Sequence, residues 1–120
     1  MSDDLVQVKT SVRDGVVVAR VTGELDVAGA AKIGEAIGEA VPNTARALVV
    51  DFTDLGFIDS SGVAMLFMLS RRLGSRRQEL HCVAAEDSPV ARVLEIVEFD
   101  RAAPVHSDLD QALAGVGGES

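Results

Sequence analysis

Four consecutive residues, Asp59-Ser60-Ser61-Gly62, carry the side chains best suited to chemistry in this chain. A carboxylate and two hydroxyls here follow a strand-like apolar run at 47–50 and precede a segment with helical apolar spacing. Small oxygen-bearing side chains at such a point are typical of a helix N-terminus. Because open α/β sheets place their sites where strands end and helices begin, this junction is the candidate functional site.

The two serines do not fit a catalytic nucleophile. A serine hydrolase needs a base within reach, usually a histidine, and no spacing pairs His81 or His106 with Ser60. The flanking residues also do not form the Gly-x-Ser-x-Gly motif of a nucleophile elbow. We therefore predict no catalytic residues and no enzyme activity. Two roles stay open for the hydroxyls: capping the helix, which we expect of at least one of them, and accepting a phosphate.

The acidic residues near the junction do not indicate a metal site. Asp51, Asp54 and Asp59 are clustered, but no EF-hand loop or His-Glu pair accompanies them. Neither a Walker A motif nor Gly-x-Gly-x-x-Gly is present, so we expect no cofactor and no metal. The acids are expected to form loops and helix termini. The single cysteine, Cys82, lies in an apolar run and is expected to be a buried structural thiol.

Composition limits the classes of partner. The chain has 120 residues, 48% hydrophobic, only 3% aromatic, and a net charge of −8. Stacking platforms for bases are lacking and phosphate backbones are repelled, so we expect no nucleic-acid partner. A basic protein surface would be attracted. The acidic start does not resemble a signal peptide, and no apolar run is long enough for a membrane span, so we expect a cytoplasmic location without direct membrane insertion.

Hydrophobic patterns predict the element order β-β-α-β-α-β-α-β-α. Alternation over 5–12, an Asp14-Gly15 turn and a run at 16–21 predict a hairpin, with positive φ at both turn residues. Later strands are predicted at 47–51, 80–85 and 102–105. The fold class is therefore α/β: a mixed, mostly parallel sheet of about five strands with about four helices. A single domain is expected, with its core at about 5–114 and a flexible tail at 115–120.

Helix boundaries are predicted from capping residues. Helices are expected after Asp26, after the junction, after Ser88-Pro89, and after Ser107, which is expected to cap the last one. Gly74, with the arginines around it, is predicted to end the helix that follows the junction.

The helix after the junction has apolar residues on more than one face. At about 100° per residue, one face is the natural core face, and its members are Val63, Leu66, Phe67, Ser70 and Leu73. A separate stripe contains Ser61, Met65, Met68 and Arg72. Methionine is common on adaptable binding surfaces, yet these methionines would equally suit a neighbouring helix. The sequence leaves both alternatives open.

Several segments, in order, resemble one family. They are Gly23-Glu24-Leu25-Asp26, Phe57-Ile58-Asp59-Ser60-Ser61-Gly62-Val63, Ser88-Pro89-Val90 with Val93-Leu94, and Phe99-Asp100 through to Leu109-Asp110-Gln111-Ala112-Leu113. On these segments the chain is identified as a single STAS domain, specifically one that resembles the anti-sigma factor antagonists. The resemblance extends over nearly the whole chain. It departs from the family at 95–99, where Glu95-Ile96-Val97-Glu98-Phe99 replaces a more usual glycine-containing helix ending.

The resemblance implies a partner-switching function. In that family the unphosphorylated protein binds an anti-sigma factor, which is also a serine kinase with a histidine-kinase-like ATPase fold, and so releases the sigma factor. The kinase phosphorylates the first serine of the motif, here Ser60 with Ser61 as second choice, and binding is lost. A PP2C-type phosphatase restores the protein. The partner-binding residues predicted from the motifs and the stripe are Asp26, Asp59, Ser61, Gly62, Met65, Met68 and Arg72.

The family resemblance also allows an alternative function. The chain would then be a STAS accessory subunit of a membrane transport complex of the ABC lipid-transport type and would bind its nucleotide-binding subunit. A stressosome scaffold is a weaker alternative, because an extra sensory domain is expected to precede the STAS portion there. Copurification separates the first two: a small kinase favours sigma regulation, and a transport ATPase favours the accessory subunit.

Overall fold

The computed structural model describes residues 6–117 and shows a mixed sheet with helices on both faces. Its strands are β1 (Val6–Arg13), β2 (Val16–Leu25), β3 (Ala47–Asp51), β4 (Leu55–Ile58), β5 (Glu79–Val83) and β6 (Val105–His106). Its α-helices are α1 (Val27–Ala40), α2 (Ser60–Ser75), α3 (Pro89–Ile96) and α4 (Leu109–Gly115), and a 3₁₀ turn covers Phe99–Arg101. The predicted α/β class is confirmed. Within this part of the chain, no helix is long and apolar enough to cross a membrane.

The sheet has one antiparallel pair and otherwise parallel pairs. Its order is β1-β2-β3-β5-β6, with β4 also pairing with β2. The predicted hairpin joins β1 to β2, and its turn residues Asp14 and Gly15 have φ of 51° and 80°. The pairs β2–β3, β2–β4, β3–β5 and β5–β6 are all parallel. Helical crossovers connect most of these strands, as parallel pairing requires.

Two apolar cores lie on opposite faces of the sheet, because successive strand residues point to opposite faces. On one face, Val17, Leu48 and Val50 pack with residues of α1, α2 and α3. On the other face, a smaller core packs against α4, with members Val16, Val18, Ala47, Val49, Val83 and Ala112. The run at 47–50 is therefore buried on both faces, as predicted. Cys82 is also fully buried, and burial raises the pKa of its thiol to about 12.

One strand was not predicted. Between the predicted strand at 47–51 and the junction, residues 55–58 form β4, which pairs in parallel with the end of β2. Its ends, Leu55 and Ile58, are buried, whereas Gly56 and Phe57 are exposed. A four-residue strand with this pattern has neither the alternation nor the continuous apolar run that identifies a strand. Within residues 6–117 the sheet therefore has six strands, compared with the predicted number of about five.

The C-terminal boundaries differ from the predicted ones. Asp108, not Ser107, caps α4, accepting a hydrogen bond from the Gln111 amide at 2.8 Å. Gly115 belongs to α4, and the Gly117 amide donates to the Glu79 carboxylate at 3.1 Å, so these two tail positions are placed against the sheet. The rest of the predicted tail, 118–120, and residue 5 of the first strand lie outside the described residues.

The end of α2 is reached without a glycine in the left-handed conformation. The helix continues through Gly74 to Ser75. Two residues later, Arg77 has a positive φ of 60°. The Arg77 amide still donates to the Gly74 carbonyl oxygen at 3.1 Å, as expected of a residue that terminates a helix. Gly74 was therefore the wrong residue for the cap. Glu98, inside the segment that departs from the family, has a similar φ of 56°.

Arg77→Gly is expected to stabilise the fold by about 0.5–1 kcal/mol, because left-handed backbone disfavours residues with a Cβ. Urea unfolding of the two proteins measures the difference. Arg76→Gly is the control, since Arg76 has a φ of −102° that suits any residue. It is expected to give no gain. A gain of equal size in both variants would contradict the explanation.

Candidate functional site

The starts of α1 and α2 lie side by side at one edge of the sheet. Leu25 ends β2 and pairs with Ile58, which ends the parallel strand β4. The next residues, Asp26 and Asp59, each precede a helix, and the Asp59 amide donates to the Leu25 carbonyl oxygen at 3.1 Å. Two segments far apart in sequence are thereby joined at the carboxyl ends of neighbouring strands. This is where open α/β sheets place their sites.

Both helices are capped by aspartate. The Asp26 carboxylate accepts from the Ala28 amide at 3.1 Å, and Asp26 is the N-cap that was predicted. The Asp59 carboxylate accepts from the Ser61 amide at 2.9 Å and from the Gly62 amide at 3.3 Å. The prediction that a serine hydroxyl caps α2 was therefore wrong. Asp59 has the extended backbone of an N-cap residue, with φ of −111° and ψ of −170°, whereas Ser60 and Ser61 already belong to the helix.

The two serines differ in access to solvent. Ser60 is the first residue of α2 and is exposed, whereas Ser61 is half-buried. Because Asp59 provides the cap, the Ser60 hydroxyl is not needed to form the helix. The first turn of α2 contains no acidic residue. An anion added at Ser60 would therefore enter the part of the helix that favours negative charge.

Gly62 is required by close packing. A Cβ at this position would lie 2.6 Å from Ile58 Cγ1 and 3.1 Å from Leu25 Cδ2. Ile58 and Leu25 are the paired ends of β4 and β2, and both are buried. The glycine therefore lets the first turn of α2 rest directly on the strand ends that position Asp59 and Ser60.

Helix α1 covers one methionine of the predicted stripe and leaves the other exposed. Met65 is buried, 4% exposed, and its Cγ lies 2.7 Å from where a Cβ of Gly34 would be. Met68, one turn along, is 55% exposed. Both alternatives from the sequence are thus realised, since Met65 packs against the neighbouring helix and Met68 stays on the surface.

A shallow groove of about 830 Å³ runs between α1 and α2. Gly34 and Gly38 let the helices approach, with the Arg72 guanidinium lying against Gly38. Exposed apolar side chains border the groove, including Val27 at 74% exposure and Met68. Ser61 lines one end, and Arg71 and Arg72 line it further along α2. Arg72 is about 18 Å from Ser60 along the helix axis, so it does not belong to the junction itself.

The other acidic residues have structural partners. Asp51 is buried and accepts hydrogen bonds from both the amide and the hydroxyl of Thr53. Asp54 forms an exposed ion pair with Arg20 at 2.9 Å. These are the loop roles expected from the sequence. Among residues 6–117, no group of three His, Cys, Asp or Glu side chains is arranged to hold a metal ion.

One cluster was missed entirely. His81 and His106, which the sequence could not pair with Ser60, contact each other with ring nitrogens 3.0 Å apart. His81 also contacts the Glu79 carboxylate at 2.9 Å. The spacing of Glu79 and His81 in a strand places them on one face, a signal that was available. The position of His106 required the β5–β6 pairing, which the sequence did not reveal.

Comparisons with known proteins agree on one family. The STAS domain family model matches residues 7–112. The anti-sigma-F factor antagonist RsfB of Mycobacterium tuberculosis is 33% identical over 115 residues, covering 96% of this chain and 93% of that protein. A crystal structure of an anti-sigma factor antagonist from Mycobacterium paratuberculosis has a TM-score of 0.86 at 29% identity, covering 98% of both chains. The Bacillus cell fate determinant SpoIIAA, in its phosphorylated form, has a TM-score of 0.65 at 25% identity, covering 91% of this chain and 96% of that one.

Proposed function

The chain belongs to the STAS domain family, and we propose that it is a cytoplasmic anti-sigma factor antagonist switched by phosphorylation of Ser60. Unphosphorylated, it binds an anti-sigma factor with a histidine-kinase-like ATPase fold and so frees a sigma factor. That partner phosphorylates Ser60, and a PP2C-type phosphatase reverses the step. The chain itself has no catalytic activity. The observation that carries the proposal is the exposed Ser60 hydroxyl beside the Asp59 cap.

The relatives support this assignment. RsfB is named as an anti-sigma-F factor antagonist, and its match extends over almost the whole of both chains. SpoIIAA was solved in a phosphorylated form, so a protein with this fold exists as a phosphoprotein. The transport alternative has no comparable support from these relatives.

Local geometry explains how the fold tolerates the modification. Asp59 already satisfies two amides of the first turn, so α2 does not depend on the hydroxyl that would be lost. A phosphoserine brings about −1.5 to −2 charges at neutral pH, which the helix N-terminus favours. We infer that phosphorylation changes the surface and leaves the fold intact.

The groove between α1 and α2 provides the rest of the proposed binding surface. It continues from Ser61 along α2 and exposes Met68 and Val27, so a partner that occupies it would lie next to Ser60, the residue before Ser61. Asp26, Asp59 and Gly62 adjoin the end nearest the switch, since Asp26 precedes the lining residue Val27, and Asp59 and Gly62 flank Ser60 and Ser61. Met65 contributes to the floor rather than the exposed border, and Arg72 contributes at the far end.

Met68→Asp is expected to weaken binding to the anti-sigma factor at least tenfold, about 1.4 kcal/mol, because a charge would replace an apolar contact. Met68→Leu keeps the apolar contact and is expected to bind like the original protein. Ile96→Asp places the same charge at another exposed apolar position, 72% exposed on α3 and outside the groove. Equal losses from Met68→Asp and Ile96→Asp would contradict the assignment of the groove.

The proposed function is tested by isolating the partner. The tagged chain, expressed in its own organism, is expected to copurify with an anti-sigma factor kinase, and purified samples of the two are expected to form a complex. Capture of a transport ATPase subunit, with no binding to the organism's anti-sigma factors, would favour the transport alternative instead.

A further inference from the structure

A hydrogen-bonded chain of three ionisable side chains lies on the face of the sheet that α4 covers. His81, on β5, is buried and sits between the Glu79 carboxylate at 2.9 Å and the His106 ring at 3.0 Å. The two rings are also stacked, with centroids 5.2 Å apart. Such a buried polar chain is favourable only while each member has a suitable donor or acceptor opposite it.

The contact between the rings holds one hydrogen. His81 Nε2 donates to the Glu79 carboxylate, so the hydrogen between His81 Nδ1 and His106 Nε2 belongs to one ring or the other. Either ring can become an imidazolium and keep this bond. If both rings are protonated, two N–H groups face each other across the contact, and two positive charges are adjacent. The closed arrangement therefore accepts one extra proton and excludes the second.

The groups around the pair have mixed charge. Arg46, which precedes β3, brings a positive charge near Glu79. Asp108, the cap of α4, brings a negative charge near His106. The hydrogen bond from His81 lowers the pKa of Glu79, while burial and then the charge of His81 lower the pKa of His106, against a raising effect of Asp108. The nearby lining from α2, Ser70 and Gly74, is uncharged.

The same three side chains, Glu79, His81 and His106, also hold the end of α4 against the sheet. The Gly117 amide, just beyond α4, donates to both oxygens of Glu79, each at 3.1 Å. Gly115, the last residue of α4, lies against both rings: a Cβ there would be 3.1 Å from His106 Cε1 and 3.5 Å from His81 Cε1. Since α4 covers the smaller apolar core, losing this anchor would uncover Val16, Val18 and Val49.

We propose that the His81–His106 contact is an acid-sensitive latch, which holds α4 on the sheet with at most one extra proton and releases it when both rings are protonated. The released form has a free α4 and an uncovered apolar face on the sheet. The rest of the fold, α1 to α3 with the larger core, stays folded because no residue of α4 belongs to that core.

The pH direction follows from proton counting. Both rings take up protons below about pH 6.5 when released, whereas the latched pair takes up at most one. Release therefore binds at least one proton more, so the opening constant rises at least about tenfold for each pH unit below about 6.5. The stabilisation is complete above that pH and is lost as pH falls. The hydrogen bond from His81 lowers the pKa of the Glu79 carboxyl, so the carboxylate is lost only at more acidic pH, in a separate event.

Hydrogen exchange of the intact protein between pH 7.5 and 5 tests the latch. The opening constant of the α4 amides, corrected for intrinsic exchange, is expected to rise at least about tenfold per pH unit, while that of the β3 and α2 amides does not change. His106→Gln cannot titrate at position 106, and its amide can turn to offer His81 Nδ1 either a donor or an acceptor, so the contact accommodates His81 in both protonation states. Its α4 amides are therefore expected to open independently of pH.

Nitrogen chemical shifts of the two imidazole rings give a second readout on the unmodified protein. One shared proton is expected while α4 is protected, and double protonation only as protection is lost. Doubly protonated rings with α4 still protected would overturn the proposal. So would the same pH dependence in His106→Gln, or equal loss of protection in α2, β3 and α4.

Discussion

Phosphorylation of Ser60 is expected to weaken binding to the anti-sigma factor several hundredfold while α2 stays folded. The phosphate would be added at the exposed first residue of α2, which follows the Asp59 cap and precedes Ser61 at the end of the groove. Within the chain, the helix N-terminus favours an anion. A partner packed over the junction would have to desolvate a dianion beside the Asp59 carboxylate. A cost of about 3–4 kcal/mol corresponds to that loss of affinity.

Titration calorimetry of the phosphorylated and unphosphorylated proteins measures this difference, and circular dichroism checks that the helix content is unchanged. Ser60→Asp adds one charge rather than two and is expected to lose at least tenfold in affinity, about 1.4 kcal/mol. Ser75→Asp adds the same charge at the exposed far end of α2 and is expected to bind normally. Normal binding by Ser60→Asp would contradict the switch.

Gly62→Ala is expected to destabilise the fold by about 1–3 kcal/mol, although alanine normally favours a helix over glycine. The added Cβ would lie 2.6 Å from Ile58 Cγ1, in the middle of a buried side chain that cannot move aside freely. Either Ile58 or the first turn of α2 must shift. Because Ile58 precedes Asp59, the shift would also disturb the junction.

Gly74→Ala is the matched control in the same helix. A Cβ at Gly74 would meet nothing within 4 Å, so this change is expected to stabilise the fold by about 0.5–1 kcal/mol. Urea unfolding of both variants therefore tests a difference in sign. Stabilisation of both would show that the contact at Gly62 is unimportant.

The parts of the site that were predictable are those set by local chemistry. Asp26 before α1 was identified as a cap because the carboxylate and the following apolar spacing are neighbours in sequence. The junction was located for the same reason. The cap of α2 was still assigned to the serines, since Asp59, Ser60 and Ser61 all suit that position and only the backbone geometry distinguishes them.

The remaining features depend on tertiary contacts. Met65 and Met68 belong to one stripe in sequence, and only the position of α1 buries the first and exposes the second. The strand β4 is too short for a periodic signal and is recognised by its pairing with β2. The pairing of His81 with His106 requires β5 and β6 to be adjacent. Sequence patterns specify faces of elements, and the fold decides which faces meet.

Mapping the phosphate tests the proposed Ser60 switch most directly. The protein, its cognate anti-sigma factor and ATP are incubated together, and the modified residue is identified by tandem mass spectrometry, with Ser60→Ala as a control. One phosphate is expected, on Ser60, and none on Ser60→Ala. Phosphate elsewhere in the chain, with Ser60 and Ser61 unmodified, would contradict it.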